Sequence, residues 1–304
     1  MAITAAAVNE LRQATGCGLM DCKKALVECD GDMEKAIVYL REKGLAGAEK
    51  KAARVAAEGM AYAEVFDGVG AIVEVNCESD FVAGNELFVA FVKGVAQVVA
   101  KENPADVDAL MECKWIDGQQ TVADAKNELF LSVRENMQIR RFARLADGKS
   151  VPYVHMMGKV AVLVNLDTAS DDAAVTELGK DLAMQVAAMH PQFLDKSDVD
   201  ADFIAKEREI RIAQAKQDPA NARKPEEILG RIVEGQINKY YKEICLLQQA
   251  YVKGTGEDVT AHVAEVSKAV GAPIAVKGYV RYEKGEGIEK REDDLAAEVA
   301  KMIG

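Results

Sequence analysis

The sequence predicts an α+β protein built from several modules. Three short helical segments separated by glycines occupy the start of the chain. Two later stretches repeat the order strand, strand, acidic turn, helix, and a long charged stretch with helical spacing interrupts the second half. We therefore expect an N-terminal three-helix module, a two-part core of antiparallel sheets with flanking helices, a protruding helical hairpin (coiled-coil) arm and a C-terminal helix.

Changes in composition along the chain suggest five segments. The predicted divisions are a three-helix module at 1–54, an N-terminal core half at 55–146, a C-terminal core half at 147–192 and 258–290, the hairpin arm at 193–257, and a C-terminal helix module at 291–304.

The first module follows from helix start and stop signals. Thr4 caps a helix over 5–14, a second helix covers 19–29, and Asp32 caps a third that ends before Gly44. Helices this short are stable only when they pack against one another. The order is similar to ubiquitin-associated (UBA) domains, which bind other proteins. The Ala-, Lys- and Glu-rich stretch that follows, 45–57, is interpreted as a solvated helical linker.

The first repeat contains the most informative turn of the chain. A hairpin over 60–75 is followed by Ser79-Asp80-Phe81-Val82 and by a helix over 86–101. Two interpretations of the turn stay open on pattern alone. Asp80 could cap a helix while Phe81 packs inward as a hydrophobic staple. Alternatively, Phe81 points outward and binds a partner.

The second repeat has a hairpin over 151–166, an acidic turn and a helix over 175–189, and a late strand at 274–283 is expected to complete its sheet. Between the repeats, 121–135 has a helical pattern and 136–145 the pattern of a strand. That strand carries three arginines that could bind an anion but are interpreted as a solvated sheet edge: Arg140, Arg141 and Arg144.

The arm is predicted from helices at 198–217 and 226–251 around a proline-containing turn. In the second helix the apolar residues fall near heptad spacing: Ile228, Ile232, Ile237, Tyr240, Ile244 and Leu247. Dimerisation, partner contact and a purely structural role all remain open for this arm.

Composition narrows the classes of partner. The 304-residue chain is 49% apolar with a net charge of −12, which is unfavourable for binding phosphate backbones and indicates protein partners rather than nucleic acid. No segment approaches the ~20 apolar residues that cross a bilayer, so no membrane partner is expected. The six cysteines contain no C-x-x-C pair, which is typical of reduced thiols and a cytoplasmic location.

The sequence offers little for catalysis. Its three histidines, 155, 190 and 262, lack metal-ligand spacing, and an isolated histidine such as His155 in an apolar strand is typical of a structural role. Gly148-Lys149-Ser150 resembles the end of a phosphate loop, but the earlier glycine is missing and a strand follows instead of a helix. We therefore expect no cofactor, no metal and no enzymatic activity.

Several stretches together resemble one family. They are LRQATGCGLMDCKKAL, EVNCESDFVAGN, ENMQIRR, YVHMMGKVAVLV and GEGIEK, and in this order they resemble bacterial elongation factor Ts over nearly the whole chain. The resemblance implies a guanine nucleotide exchange factor for the translational GTPase elongation factor Tu. Such a factor binds the GDP-bound GTPase, disturbs its Mg²⁺ and phosphate site and promotes GDP release. A homodimer or a 2:2 complex with the GTPase stays open.

The resemblance also implies which residues bind the GTPase. The family motif T-D-F-V reads Ser79-Asp80-Phe81-Val82 here, with serine for threonine, and it would help to dislodge the Mg²⁺. The other implied contacts are Arg12, Leu19, Met20, Val133 and His155. Leu19 stands where methionine is more usual and Val133 where a larger isoleucine is common.

One alternative function is kept. In a UBA-type adaptor the first module would bind a protein partner and the rest would be a scaffold without exchange activity. That reading gives no role to the acidic turn at 79–82.

Overall fold

A computed structural model describes residues 3–218, 221 and 224–289 of the chain. The described residues divide into two compact units, one formed by 3–144, 154–161 and 282–289, the other by 145–153 and most of 162–281. The architecture is mixed helix and sheet, with an N-terminal helical region and antiparallel pairing, so the predicted α+β class is confirmed.

Three helices open the first unit: α1 (Ala5–Thr15), α2 (Leu19–Glu28) and α3 (Met33–Lys51). Thr4 caps α1 and Asp32 caps α3 through side-chain oxygens, as their positions predict. Each helix buries one face in a shared small core that includes Leu11, Leu26 and Leu40. The three predicted helices are therefore confirmed.

The predicted end of α3 is wrong. The helix does not stop before Gly44 but continues to Lys51, so residues 45–51 do not form a separate solvated linker. Gly44 is buried against Leu131, and a Cβ on it would lie 2.3 Å from Leu131 Cδ2. The glycine allows close approach of α3 to α7 (Val122–Val133), and this packing offsets the low helix propensity of glycine.

The first sheet has the order β1-β2-β3, with β1 (Glu58–Phe66), β2 (Val69–Cys77) and β3 (Met137–Leu145). β1 and β2 are antiparallel, with Met60 opposite Val75, as the hairpin prediction requires. Alternate residues of β2 pack with α5 (Glu86–Glu102) and α7 in a core that is called the first core below. A short helix, α6 (Val107–Glu112), connects α5 to α7.

The interpretation of the β3 arginines as a solvated edge is wrong. Arg140 and Arg141 both bind the buried carboxylate of Glu74, and Arg144 Nε donates to the carbonyl of Ala100. A buried carboxylate requires charged or hydrogen-bonding partners, and this requirement draws the arginines inward. Strand periodicity alone does not show that Glu74 is buried.

The second sheet has the order β4-β5-β6, made of β4 (Lys149–His155), β5 (Val160–Asp167) and β6 (Ala275–Glu283). The late strand thus completes this sheet, as predicted. The predicted helix after the hairpin is α8 (Ala173–Met189), which buries apolar residues such as Leu178 and Leu182.

The arm consists of α9 (Ala201–Gln217) and α10 (Glu226–Ile244), joined by a small core. The pattern for the second helix needs two corrections. α10 ends at Ile244 rather than at 251, and a short 3-10 turn follows at Leu246–Gln248. Near its start α10 buries Leu229 and Val233, whereas Ile228 is exposed, so the predicted stripe is one residue out of phase there. Farther along, Ile237 and Ile244 are buried and Tyr240 packs against the arm core, as predicted.

The remaining helix, α11 (Val259–Val270), precedes β6. Among the described residues, no helix combines the length and the apolar character that crossing a membrane requires. All six cysteines are free thiols. The predicted C-terminal helix module at 291–304 lies outside the described residues, and the division into five segments stays a prediction.

Candidate partner-binding site

The Ser79–Val82 turn is a one-turn helix, α4 (Asp80–Ala83), that presents Phe81 to solvent. Ser79, not Asp80, is the N-cap, since its hydroxyl accepts a hydrogen bond from Val82 N at 3.3 Å. Val82 is 8% exposed and packs in the first core, whereas Phe81 is 88% exposed. The staple interpretation is therefore wrong, because a stapled ring would be covered by the helix that follows.

Two hydrogen bonds from Ser79 hold this turn to Glu135, which lies between α7 and β3. Ser79 Oγ donates to Glu135 Oε1 at 2.6 Å, and Ser79 N donates to Glu135 Oε2 at 2.9 Å. The neighbouring Glu78 accepts from Asn136 N at 2.6 Å and from Arg54 Nη1 at 3.2 Å. The exposed aromatic ring is thus carried by a turn in which the polar groups of Ser79 have partners.

A buried thiol lies next to the turn. Cys77 Sγ donates to the carbonyl of Ser79 at 3.2 Å. Burial, reinforced by the negative charge of Glu135, raises the pKa of the Cys77 thiol to about 12. At neutral pH the thiol stays protonated and acts as a packed hydrogen-bond donor, not as a nucleophile.

A second exposed apolar group lies in the same unit, at the corner between β4 and β5. Exposed His155 ends β4 and is followed by Met156 and Met157, both with positive φ, and Met157 is 96% exposed. Gly158 completes the corner, where a Cβ would lie 2.4 Å from Met60 Cγ on β1. Because this corner and α4 both pack against β1, one strand supports the two exposed groups.

The remaining residues implied by the resemblance lie elsewhere in the first unit. Leu19 and Met20 start α2 and are 47% and 72% exposed, and Arg12 is exposed on α1. Val133 is half-buried at the end of α7 and packs against the first core. Exposure therefore suits Leu19, Met20 and Arg12 for contact with a partner, while a partner contact of the half-buried Val133 stays a prediction.

Sequence reasoning missed three residues of this region. Met156 and Met157 carry a signal that could have been used, since two consecutive methionines before a glycine end an apolar strand. Glu135 carries none, because 56 residues separate it from Ser79. Exposed aromatic and methionine side chains on well-supported turns suit recognition of another protein.

No group of three or more His, Cys, Asp or Glu side chains in 3–218, 221 and 224–289 is arranged to hold a metal ion. The chemistry that the described site offers is that of a contact surface: an exposed ring, an adjacent exposed carboxylate at Asp80 and, at the corner between β4 and β5, two exposed thioethers.

Comparison with known proteins identifies the family. The family described as Elongation factor TS matches residues 78–286. Elongation factor Ts of Clostridium botulinum (strain ATCC 19397 / Type A) is 48% identical over 306 residues, covering 99% of this chain and 98% of that protein. Elongation factor Ts of Clostridium perfringens (strain SM101 / Type A) is 49% identical over 306 residues, covering 99% of each. The chain belongs to the elongation factor Ts family.

Proposed function

We propose that this protein is a guanine nucleotide exchange factor that binds GDP-bound elongation factor Tu and promotes GDP release during protein synthesis. The observation that carries the proposal is the exposed Phe81 on a supported turn, inside the region that matches the family. An aromatic side chain that is 88% exposed gains contact area only when a partner covers it.

The proposed mechanism acts on the metal of the GTPase. Mg²⁺ requires near-ideal octahedral oxygen ligation, and it neutralises the phosphates of the bound nucleotide. Phe81 would insert beside that site, and the Asp80 carboxylate would compete for polar groups around the metal. Displacing one ligand then weakens nucleotide binding without any contact to the base.

The other exposed groups would widen the contact. His155, Met156 and Met157 form an apolar corner supported by the same strand as Phe81, and Leu19 with Met20 presents a second apolar patch on α2. Under this proposal the exposed Arg12 on α1 adds a charged contact, and Val133 acts by supporting the first core from α7.

The proposed factor works through binding energy and needs no covalent step. If it weakens GDP binding to the GTPase by some factor, GDP must weaken factor binding by the same factor, since the two are thermodynamically linked. Calorimetric titration of the protein into the GDP-bound and the nucleotide-free GTPase measures its affinity for each form, and the ratio of the two affinities is this factor. Equal affinity of the protein for both forms would contradict the proposal.

The direct test mixes the protein with elongation factor Tu loaded with fluorescent GDP and follows release after adding excess unlabelled GDP. We expect release to accelerate in proportion to the protein added. A UBA-type adaptor would bind without accelerating release, so this experiment separates the two functions. Binding without acceleration would leave the adaptor reading in place.

The role of Asp80 is tested by Asp80→Asn. Ser79 provides the cap of α4, so the substitution leaves the turn intact while removing one charge. We expect slower GDP release in the presence of Mg²⁺ and little difference after chelation by EDTA. An equal loss in both conditions would show that Asp80 acts on something other than the metal.

A further inference from the structure

We propose that Glu135 is a positioning residue for nucleotide exchange, holding the turn that presents Phe81. This inference rests on the proposed exchange function and extends it to a residue that does not belong to the 79–82 motif.

The first argument is that Glu135 accepts hydrogen bonds from both the backbone N and the hydroxyl of Ser79. A serine hydroxyl has one proton to donate, and Ser79 Oγ donates it to Glu135 Oε1. Ser79 Oγ also accepts a hydrogen bond from Val82 N. The second carboxylate oxygen accepts from Ser79 N. Both oxygens of one carboxylate thus bind one residue, which defines the orientation of the turn as well as its position. Hydrogen bonds to a charged acceptor are stronger than those between neutral groups.

The second argument is that the connection is reciprocal. Glu78 Oε1 accepts from Asn136 N, so residues 78–79 and 135–136 each receive a backbone N–H bond from the other pair. The Asn136 side chain in turn donates to the carbonyls of Ala52 and Arg54, at 3.2 and 2.7 Å. Asn136 is buried, so its hydrogen bonds connect the turn to the interior of the protein.

The third argument is where Glu135 is mounted. It follows Arg134, whose left-handed φ of 57° ends α7, and it precedes Met137, the first residue of β3 and a member of the first core. The Arg134 side chain binds Asp21 of α2, and its carbonyl accepts from Lys51 at the end of α3. The carboxylate therefore extends from a short connection held at both ends.

The fourth argument is that α4 needs outside support. A helix of four residues is not stable by itself, because nucleation costs more than its hydrogen bonds return. Phe81 contributes little packing to the free protein, and Val82 is the buried residue of α4. Preorganising a binding residue removes the cost of ordering it during association. Glu135 supplies that order through Ser79.

The test uses Glu135→Ala and Glu135→Gln, with Glu128→Gln as the matched control. Glu128 lies on α7, where it accepts from Arg41 at 2.7 Å and from Gln120 at 3.3 Å, so its substitution removes a charged acceptor whose partners lie outside the turn. Hydrogen exchange measured by mass spectrometry should show faster exchange across 78–85 in both Glu135 variants and not in the control. Unchanged exchange there would overturn the proposal whatever the activity.

The activity measurement decides whether Glu135 acts through Phe81. We expect Glu135→Ala to slow GDP release about 10- to 100-fold, the loss that a small misplacement of a binding group causes, and Glu135→Gln to lose less. In a Phe81→Ala background the same Glu135 substitutions should change release, and affinity for the nucleotide-free GTPase, by less than about twofold.

The outcomes are distinguishable. No acceleration by the wild-type protein would reject the exchange function itself. Acceleration by the wild type, with full activity of folded Glu135→Ala and Glu135→Gln, would reject the positioning role only. Equal losses with and without Phe81 would show that Glu135 acts independently of the ring and would also overturn it. If Glu135→Ala does not fold, the comparison of Glu135→Gln with Glu128→Gln carries the test.

Discussion

The carboxylate of Glu74 is fully buried and accepts a hydrogen bond from Arg141 Nε at 2.6 Å. Arg140 Nη1 binds the other oxygen at 3.0 Å, and the backbone N of Gly285 donates to that oxygen at 2.8 Å. The two arginines also bind Glu286, through its carbonyl and its carboxylate. These bonds join the segment around 285–286 to the first sheet. The donors also replace the water molecules that the Glu74 carboxylate loses on burial.

Removing this carboxylate should destabilise the protein strongly. Glu74→Ala leaves Arg140 and Arg141 without their shared buried partner, so we expect the free energy of unfolding to fall by ~3–5 kcal/mol. Urea denaturation followed by circular dichroism measures the change. Glu112→Gln, at an exposed position on α6, is the control and should stay within ~0.5 kcal/mol of wild type. Identical midpoints for Glu74→Ala and wild type would show that the network adds no stability.

Phe81→Ala should separate activity from stability. The ring is 88% exposed, so its removal should lower the free energy of unfolding by far less than the ~3–5 kcal/mol expected for emptying a core phenylalanine site. The melting temperature should therefore change little. Binding to the GTPase should weaken by ~2–4 kcal/mol, as for a central aromatic anchor. The measurements are a melting curve of the free variant and its rate of GDP release. A large drop in melting temperature with unchanged release would reverse the interpretation of Phe81.

The fully buried Phe88 on α5 provides a matched comparison for that prediction. Phe88→Ala should show the opposite pattern, with early melting and little change in exchange per folded molecule.

Two helical glycines should respond oppositely to alanine. At Gly44 a Cβ would lie 2.3 Å from Leu131 Cδ2, so Gly44→Ala should separate α3 from α7 and cost ~1–3 kcal/mol. At Gly230 on α10 the added Cβ would meet no atom within 4 Å apart from the backbone of its own helix, so Gly230→Ala should stabilise the helix by ~0.5–1 kcal/mol. Thermal unfolding of both variants measures the signs. Stabilisation by Gly44→Ala would contradict the close approach of the helices.

Cys77 should resist alkylation at pH 8. Burial and Glu135 raise the pKa of its thiol from 9.0 to about 12, so the reactive thiolate is scarce. Half-buried Cys29 and Cys113 should react with iodoacetamide first, as peptide mass spectrometry would show. Preferential labelling of Cys77 in the native protein would contradict its burial.

The same pKa shift predicts that the free energy of unfolding falls as the pH rises above 9. Because the folded-state pKa is raised, the contribution of Cys77 is complete below pH 9 and is lost as pH rises toward about 12. Replacing Cys77 by serine should therefore reduce the loss of stability between pH 9 and 12, measured by urea denaturation at each pH. A steeper loss in the variant would mean that the sign is wrong.

Local pattern predicted most helices and strands because it depends on neighbouring residues. The caps at Thr4 and Asp32, the hairpin before Phe81 and the strand that completes the second sheet all follow from spacing and turn residues. The errors occur where tertiary contact overrides propensity. Gly44 looked like a helix end, but its contact with Leu131 keeps it inside α3.

The candidate site, too, was predicted from the sequence only in part. Phe81 was visible in the sequence as an apolar residue in an acidic turn, although pattern alone left two interpretations of its direction. The structure shows the ring exposed, because Val82 rather than Phe81 fills the core beneath α4.

By itself the sequence determined the α+β class, the order of elements and the stretches that resemble elongation factor Ts, since these depend on residues close together in the chain. Only the tertiary structure decided that Arg141 faces Glu74 and that Ser79 is held by Glu135, pairs 67 and 56 residues apart. Such pairs depend on how buried charges and hydrogen-bond donors find partners once the core has packed, and no local periodicity encodes that choice.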